Sequence, residues 1–287
     1  MAEIYYSIAG TRIRVCLPDG WMYRDHGYLT PFLTEPGEGD RKLEFVPVSR
    51  LSPEQGICLF RKPDRQVFAD GGSLITYVGA VAESLDGAYL RVCRTGSHSR
   101  VEMLASEFPR GLTPGVVMTA MEMEDLVSKS RGFLLHASFV RWQDRAILFT
   151  APSGTGKSTQ ADLWCRHQGA ELINGDRAIV RLDGDTVLAC GVPFCGSSGV
   201  TKNVSLPLAA IVYLTQAPEN RVTVLAGFEA FRRVWEGCNV NVWNREELSA
   251  ASEYVLEALS RVPVYRLDCR PEPAAVDTLR QVLEGGE

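Results

Sequence analysis

Polar and apolar residues alternate along Thr11-Arg12-Ile13-Arg14-Val15-Cys16-Leu17, as they do in a strand with one buried face. Stretches of similar character recur at 42–48, 73–78 and 88–93. Turn-forming residues separate them: Pro18-Asp19-Gly20, residues 36–40, Asp70-Gly71-Gly72 and Asp86-Gly87. The pattern predicts a β-rich region from Glu3 to about Leu104. The period then lengthens. Val116, Ala120, Met123 and Val127 fall close to one face of a helix predicted over 116–129, where Met118, Met121 and Met123 are read as core packing.

From Gly132 the character changes again. Residues 133–140 and 145–150 are apolar runs of buried-strand type, and 159–164 reads as a helix with Ala161 and Trp164 on one face. Further strands are predicted at 171–173, 178–182, 186–190 and 208–214, with helices at 228–236, 246–261 and 273–283. In the second of these helices Leu248, Val255 and Leu259 form one stripe, and Pro263 closes it. Pro273 suits a first helical position, where its missing N–H has no partner in any case. No repeat or low-complexity tract is present. The predicted fold class is α/β (α+β), with a β-rich region over 1–130 and a core of mixed strands and helices over 131–287.

Composition narrows the function classes. The 287 residues suffice for one large or two modest domains, and 45% hydrophobic with 23% charged is ordinary for a globular chain. A net charge of -5 without a lysine- or arginine-rich block gives no electrostatic footprint for nucleic acid. No apolar run approaches the roughly 20 residues a membrane helix needs, and Met1-Ala2-Glu3-Ile4-Tyr5-Tyr6 lacks the regions of a signal peptide. A cytoplasmic location with neither nucleic-acid nor membrane partners is therefore expected. The eight cysteines include no Cys-x-x-Cys pair, which argues against a zinc site or a disulfide framework. Most of them are expected to be small buried hydrophobes.

The candidate chemistry lies in Ala151-Pro152-Ser153-Gly154-Thr155-Gly156-Lys157-Ser158-Thr159, between a predicted strand and a predicted helix. Strand, glycine-containing turn, Gly-Lys-Ser and helix make up a phosphate-binding loop. A polyphosphate is approached by bare backbone N–H groups, so Gly154 and Gly156 clear side chains away. The new helix points its positive end at the anion. Lys157 adds a full charge, and the Ser158 hydroxyl is placed to ligate Mg²⁺. The usual pattern opens with Gly; Ala151 stands there and is expected to keep an ordinary backbone conformation.

Other candidates surround this loop. Mg²⁺ needs a carboxylate, and Asp176, in the turn Asn174-Gly175-Asp176-Arg177, is the best placed to hold metal or accept a hydroxyl proton. The alternative is a turn Asp bonding its own backbone. His136, within an apolar strand, is either a satisfied core residue or a neighbour of the phosphates. Residues 191–199 could close over the site with Lys202 as a second phosphate contact, or form a plain turn with a solvated lysine. Arg177 could stabilise transferring phosphate or merely pair with an acid.

Leu135-His136-Ala137-Ser138, then 151–159, then Leu172-Ile173-Asn174-Gly175-Asp176, in this order and spacing, resemble HPr kinase/phosphorylase and its related kinases, which share the phosphoenolpyruvate carboxykinase type of fold. The resemblance covers residues 132–283. It implies that Ser153, Gly154, Thr155, Gly156, Lys157, Ser158 and Thr159 hold the phosphates of ATP. It further implies that Ser158 and Asp176 bind Mg²⁺ and that His136 lines the phosphate site. Two consecutive aspartates usually end the strand after the loop helix; here the pair reads Gly175-Asp176. The glycine-rich signature of the family's protein kinases is replaced by Pro193-Phe194-Cys195-Gly196-Ser197-Ser198-Gly199. The expected activity is transfer of the γ-phosphoryl group of ATP to a serine of a peptide or small protein. Asp176, His136 and Lys157 would be the catalytic residues, and residues 1–130 would recognise the acceptor. Free serine as acceptor, phosphorolysis of phosphoserine, and a nucleotide-dependent regulator or chaperone without transfer are the alternatives. Relatives assemble into rings, so a homo-oligomer is also implied.

Overall fold

The computed structural model describes residues 2–21, 23, 27–81, 84–108 and 111–285. It has a mixed α/β architecture whose backbone contacts divide it into two units, Met1–Met123 and Glu124–Glu287.

In the first unit, β1 (Ala2–Ile8) and β2 (Thr11–Leu17) form a hairpin pairing Ile8 with Thr11. Its two-residue turn, Ala9-Gly10, has positive φ at both positions (49° and 85°), the conformation whose twist matches paired strands. The alternation read at 11–17 appears as burial of Ile13, Val15 and Leu17. The other strands are β3 (Arg41–Val48), β4 (Ile57–Lys62), β5 (Arg65–Asp70), β6 (Ser73–Val78), β7 (Leu90–Thr95) and β8 (His98–Leu104). They form one sheet in the order β1-β2-β3-β8-β7-β6-β5-β4, antiparallel except where β3 joins β2 and β8. Its interior also holds charge: Arg91 pairs with Glu102 at 3.5 Å and Arg94 with Glu122 at 3.0 Å, all four side chains buried.

The helix expected over 116–129 is two helices, α1 (Pro114–Met121) and α2 (Met123–Lys129). Glu122 interrupts them in the left-handed region, with φ 48° and ψ 63°. Its buried carboxylate accepts from Thr76 Oγ1 at 2.8 Å and from Arg94 Nε at 3.0 Å. Local periodicity yields there to a tertiary ion pair, since an unpaired buried carboxylate costs more than one strained residue.

The second unit contains β9 (Gly132–Trp142), β10 (Arg145–Thr150), α3 (Lys157–Gln168), β11 (Glu171–Asn174), β12 (Arg177–Asp183) and β13 (Thr186–Cys190). After a single 3₁₀ turn at Gly196–Ser198 come β14 (Ser205–Gln216), β15 (Arg221–Leu225), α4 (Gly227–Trp235) and β16 (Cys238–Asn239). The chain ends with α5 (Arg245–Leu259), β17 (Val264–Cys269) and α6 (Pro273–Gly285). Strands β9 and β14 are long enough to belong to more than two ladders each. Residues 132–136 of β9 pair with β12, and residues 137–142 pair with β10. β14 pairs first with β13 and then, in parallel, with β10 and β17.

Period-two alternation divides the apolar residues between the two faces of this sheet. Leu135, Ala137, Leu148, Ile211 and Tyr213 join a core with Val234 of α4 and Val255 of α5. Ile147, Phe149, Val212 and Leu214 join a second core with Ala161 and Trp164 of α3 and Val276 of α6. In α5 the buried stripe is Ala251, Val255 and Ala258, with Leu248 and Leu259 only half-buried. The expected leucine stripe is therefore rotated, because alanines let the helix axis lie close to the sheet. All eight cysteines are unpaired; Cys16, Cys190 and Cys269 are buried, Cys58 is exposed and four are partly exposed, so fewer are core residues than expected. Among the described residues, no helix is long and apolar enough to cross a membrane.

Candidate functional site

The site forms where β9 changes partners. His136 is the last residue of β9 opposite β12, facing Arg177, and Ala137 is the first opposite β10, facing Thr150. The turn before β12 and the loop after β10 therefore emerge side by side. The backbone ties this point together: Ala137 N donates to Asp176 O at 3.0 Å, and Thr150 Oγ1 donates to His136 O at 3.0 Å.

The loop 151–156 leaves β10 and turns directly into α3. Gly154 (φ 78°) and Gly156 (φ 120°) occupy backbone regions that an L side chain rarely adopts, and the space above both is open. Gly156 is the N-cap of α3 and brings no side-chain cap, which leaves the first helical N–H groups available to a ligand. Ala151 is buried and is not among the residues with positive φ, as expected for an ordinary conformation. Ser153, Ser158 and Thr159 are exposed, Thr155 partly so, whereas Lys157 is buried and donates to Ala151 O at 3.0 Å and Pro152 O at 3.3 Å. Burial pulls the Lys157 ammonium below its ordinary pKa, with the charge of Asp176 opposing that shift.

Asp176 sits beside this loop. Its Oδ1 lies 3.5 Å from His136 Nδ1 and its Oδ2 lies 3.2 Å from Arg177 Nε. His136 is held below its ordinary pKa of 6.5, first by burial and next by the positive charge of Lys157, while Asp176 pulls the other way. Near neutral pH its imidazole is consequently uncharged, with one nitrogen free to accept a proton. Lys157, Asp176, His136 and Arg177 thus form one electrostatically connected group.

Asn174, which the sequence marks only as a turn residue, organises the acidic turn. Fully buried, it accepts from the backbone N–H of Asp176 and of Arg177, both at 2.9 Å. Its amide donates to Val192 O at 2.9 Å and Phe194 O at 2.7 Å, anchoring the segment 191–199 beside Asp176. Asn174 thus makes the local turn bonds that might have fallen to Asp176. Arg177 adds a cation–π contact over Phe194, 5.0 Å from the ring centre. Lys202 is placed elsewhere. Its ammonium pairs with Glu171, which also takes Arg141, near the end of β9 remote from the 151–156 loop. The structure therefore does not bring Lys202 to the 151–156 loop.

On the other side of the loop, the carboxyl ends of the parallel strands β10, β14 and β17 open two clefts. One, of about 400 Å³, is lined by Gly154, Thr155, Thr159, Gln160, Gln216, Cys269 and Arg270. Buried Gln160 donates to Cys269 Sγ at 3.3 Å, while its Oε1 has no hydrogen-bond partner. The second, of about 470 Å³, lies between 152–155, Tyr213–Gln216 and Arg233. Arg233 lies 4.8 Å over the Tyr213 ring and pairs with Glu229. Gln160, Gln216, Tyr213 and Arg233 carry no local motif; only the adjacency of parallel strand ends reveals them. Among the described residues, no group of three His, Cys, Asp or Glu is arranged to hold a metal ion.

No family model matches the chain, and no curated protein matches it. Among solved structures, it is similar to the Hpr(Ser) kinase/phosphatase from Coxiella burnetii, at 14% identity and a TM-score of 0.29, over 53% of this chain and 93% of that one. This is a distant likeness, too weak to carry an activity or a substrate across.

Proposed function

We propose that the chain is an ATP- and Mg²⁺-dependent kinase that transfers a γ-phosphoryl group to the serine hydroxyl of a peptide or small protein. The observation that supports this most is the meeting, where β9 changes partners, of an open glycine-lined helix N-terminus with Lys157 and the His136–Asp176 pair. Phosphates would be cradled by the N–H groups of 153–159, with Lys157 exchanging its two carbonyl partners for phosphate oxygens. The nucleoside would extend into the cleft beside Gln160 and Gln216, away from Asp176. Such a placement directs the terminal phosphate toward the carboxylate side of the loop.

Asp176, exposed enough to give up its contact with Arg177, and the exposed Ser158 hydroxyl are the groups that would hold Mg²⁺. This ion retains water and substrate phosphate in its shell and needs only one or two carboxylates, so Asp176 with the Ser158 hydroxyl suffices without an all-protein cage. When bound, the ion would neutralise charge on the phosphates. Asp176 or neutral His136 would accept the hydroxyl proton of the acceptor. Residues 1–130 would supply the acceptor-recognition surface, the one part of the reading that no local chemistry names.

The test offers γ-labelled ATP and Mg²⁺ with free serine, HPr or a short peptide as acceptor, and locates label by mass spectrometry. Asp176→Asn is expected to retain nucleotide binding and to lose transfer by about 10²- to 10⁴-fold, the size of a general-base contribution. Lys157→Ala is expected to lose nucleotide binding itself. Undiminished transfer in Asp176→Asn would remove Asp176 from the chemistry. Tight nucleotide binding without transfer to any acceptor would favour a nucleotide-dependent switch, a reading consistent with the single carboxylate left by Gly175.

A further inference from the structure

The segment 191–199 brings a serine to the acidic turn. Asn174 pins its first half by two hydrogen bonds, and Arg177 covers Phe194. Its second half, the 3₁₀ turn Gly196–Ser198, then folds directly over residues 175 and 176. A methyl group on Gly175 would lie 2.5 Å from both the Cβ and the Oγ of Ser198. A methyl group on Gly196 would lie 3.0 Å from Asp176 Cβ and 3.2 Å from its Oδ1. A side chain at 175 would collide with Ser198, and the positive φ of Gly196 (53°) favours glycine where the turn crosses Asp176, so the turn packs closely on the Asp176 region. Ser198 itself is solvent-exposed and hydrogen-bonded: its hydroxyl donates to Cys195 O at 2.7 Å and accepts from Val200 N at 3.2 Å. A rotation about its Cα–Cβ bond frees the hydroxyl from the carbonyl.

We propose that Ser198 is a phosphoryl acceptor of this chain's own site, modified within the same molecule. The inference rests on the kinase reading above. The Ser198 Oγ attacks the γ-phosphorus of ATP, forming a P–O bond as the bond from that phosphorus to the β,γ-bridging oxygen breaks. ADP leaves with the electron pair of the broken bond, and the hydroxyl proton passes to neutral His136 beside Asp176 and then to solvent, so that Asp176 stays ionised. The product carries about -1.5 to -2 charges where a neutral turn lay against Asp176, and like-charge repulsion then favours lifting the turn from the acid. An external serine would reach the same place only after that movement, so Ser198 both occupies and reports the acceptor position.

The experiment incubates the full chain with Mg²⁺ and γ-labelled ATP without any added acceptor, and reads label on the peptide containing 191–201 by mass spectrometry. Binding of a fluorescent ATP analogue is measured in parallel for every variant. The expected result is label on Ser198, at a rate per molecule independent of protein concentration. Ser198→Ala should lose that label while retaining nucleotide binding, and Ser198→Thr should recover it as phosphothreonine. A protein that binds nucleotide but leaves Ser198 unlabelled, or that carries label on Ser197 instead, overturns the inference and leaves the kinase reading standing. A rate that rises with protein concentration overturns the intramolecular route. A wild-type chain that binds no nucleotide removes the kinase reading and this inference with it.

Discussion

At the scale of single residues, the site depends on side chains that hold the backbone as well as on those that would touch substrate. Asn174 makes four hydrogen bonds from a fully buried position, two to the turn carrying Asp176 and two to the segment bearing Ser198. Replacing it with alanine orphans two carbonyls and two N–H groups at once. Asn174→Ala is expected to lower stability by about 3 kcal/mol, given about 1–3 kcal/mol for each buried group left unsatisfied and some relief by water. Urea unfolding, followed through the transition of the second unit, measures this. Asn174→Asp would keep the two accepted bonds and set a carboxylate against two carbonyl oxygens, so it is expected to stay below wild type as well. The sequence shows Asn-Gly-Asp as a turn. It shows nothing of the second pair of bonds, because Val192 and Phe194 are 18 and 20 residues away.

Among the elements, regular periodicity proved readable and its interruptions did not. The strands at 11–17, 73–78, 145–150 and 186–190 begin and end where alternation and turn residues place them. The break between α1 and α2 has no such local sign, since Glu122 lies in a helical pattern with no glycine or proline beside it. Its cause is the buried pair with Arg94, on a strand 28 residues earlier. Arg94→Ala would leave the Glu122 carboxylate buried without its cation, and is expected to cost about 3–5 kcal/mol. A lowered unfolding midpoint for the first unit checks this, and Arg94→Lys should restore part of the loss because it keeps the charge. Strands β15 and β17 carry no such local sign either. Their residues, Arg221–Leu225 and Val264–Cys269, are short mixed runs that become strands because β17 pairs with β14 and β15 pairs with β17.

For the whole molecule, the central question is whether the two units divide the labour. The 151–156 loop, Asp176, His136 and both clefts belong to Glu124–Glu287. A fragment spanning 124–287 is therefore expected to bind nucleotide with an affinity close to that of the full chain, while transfer to an external peptide or protein acceptor should fall sharply. Titration with a fluorescent ATP analogue and an acceptor assay on both forms measure the two effects separately. Unchanged transfer by the fragment would assign acceptor recognition to the second unit.

What is local can be read along the chain: a strand, two glycines free to take positive φ, a lysine and hydroxyls at a helix start, and an Asn-Gly-Asp turn. Each follows from neighbours a few residues apart, where backbone sterics and hydrogen bonding act directly. What these pieces meet is set by the folded sheet. It put His136 against Asp176 because β9 exchanges β12 for β10 at that residue. It gave Lys202 to Glu171, and it laid Ser198 over Gly175. Such contacts depend on strand register and on which ladder a long strand joins. Both are settled by burial summed over the whole sheet, which no window along the chain contains.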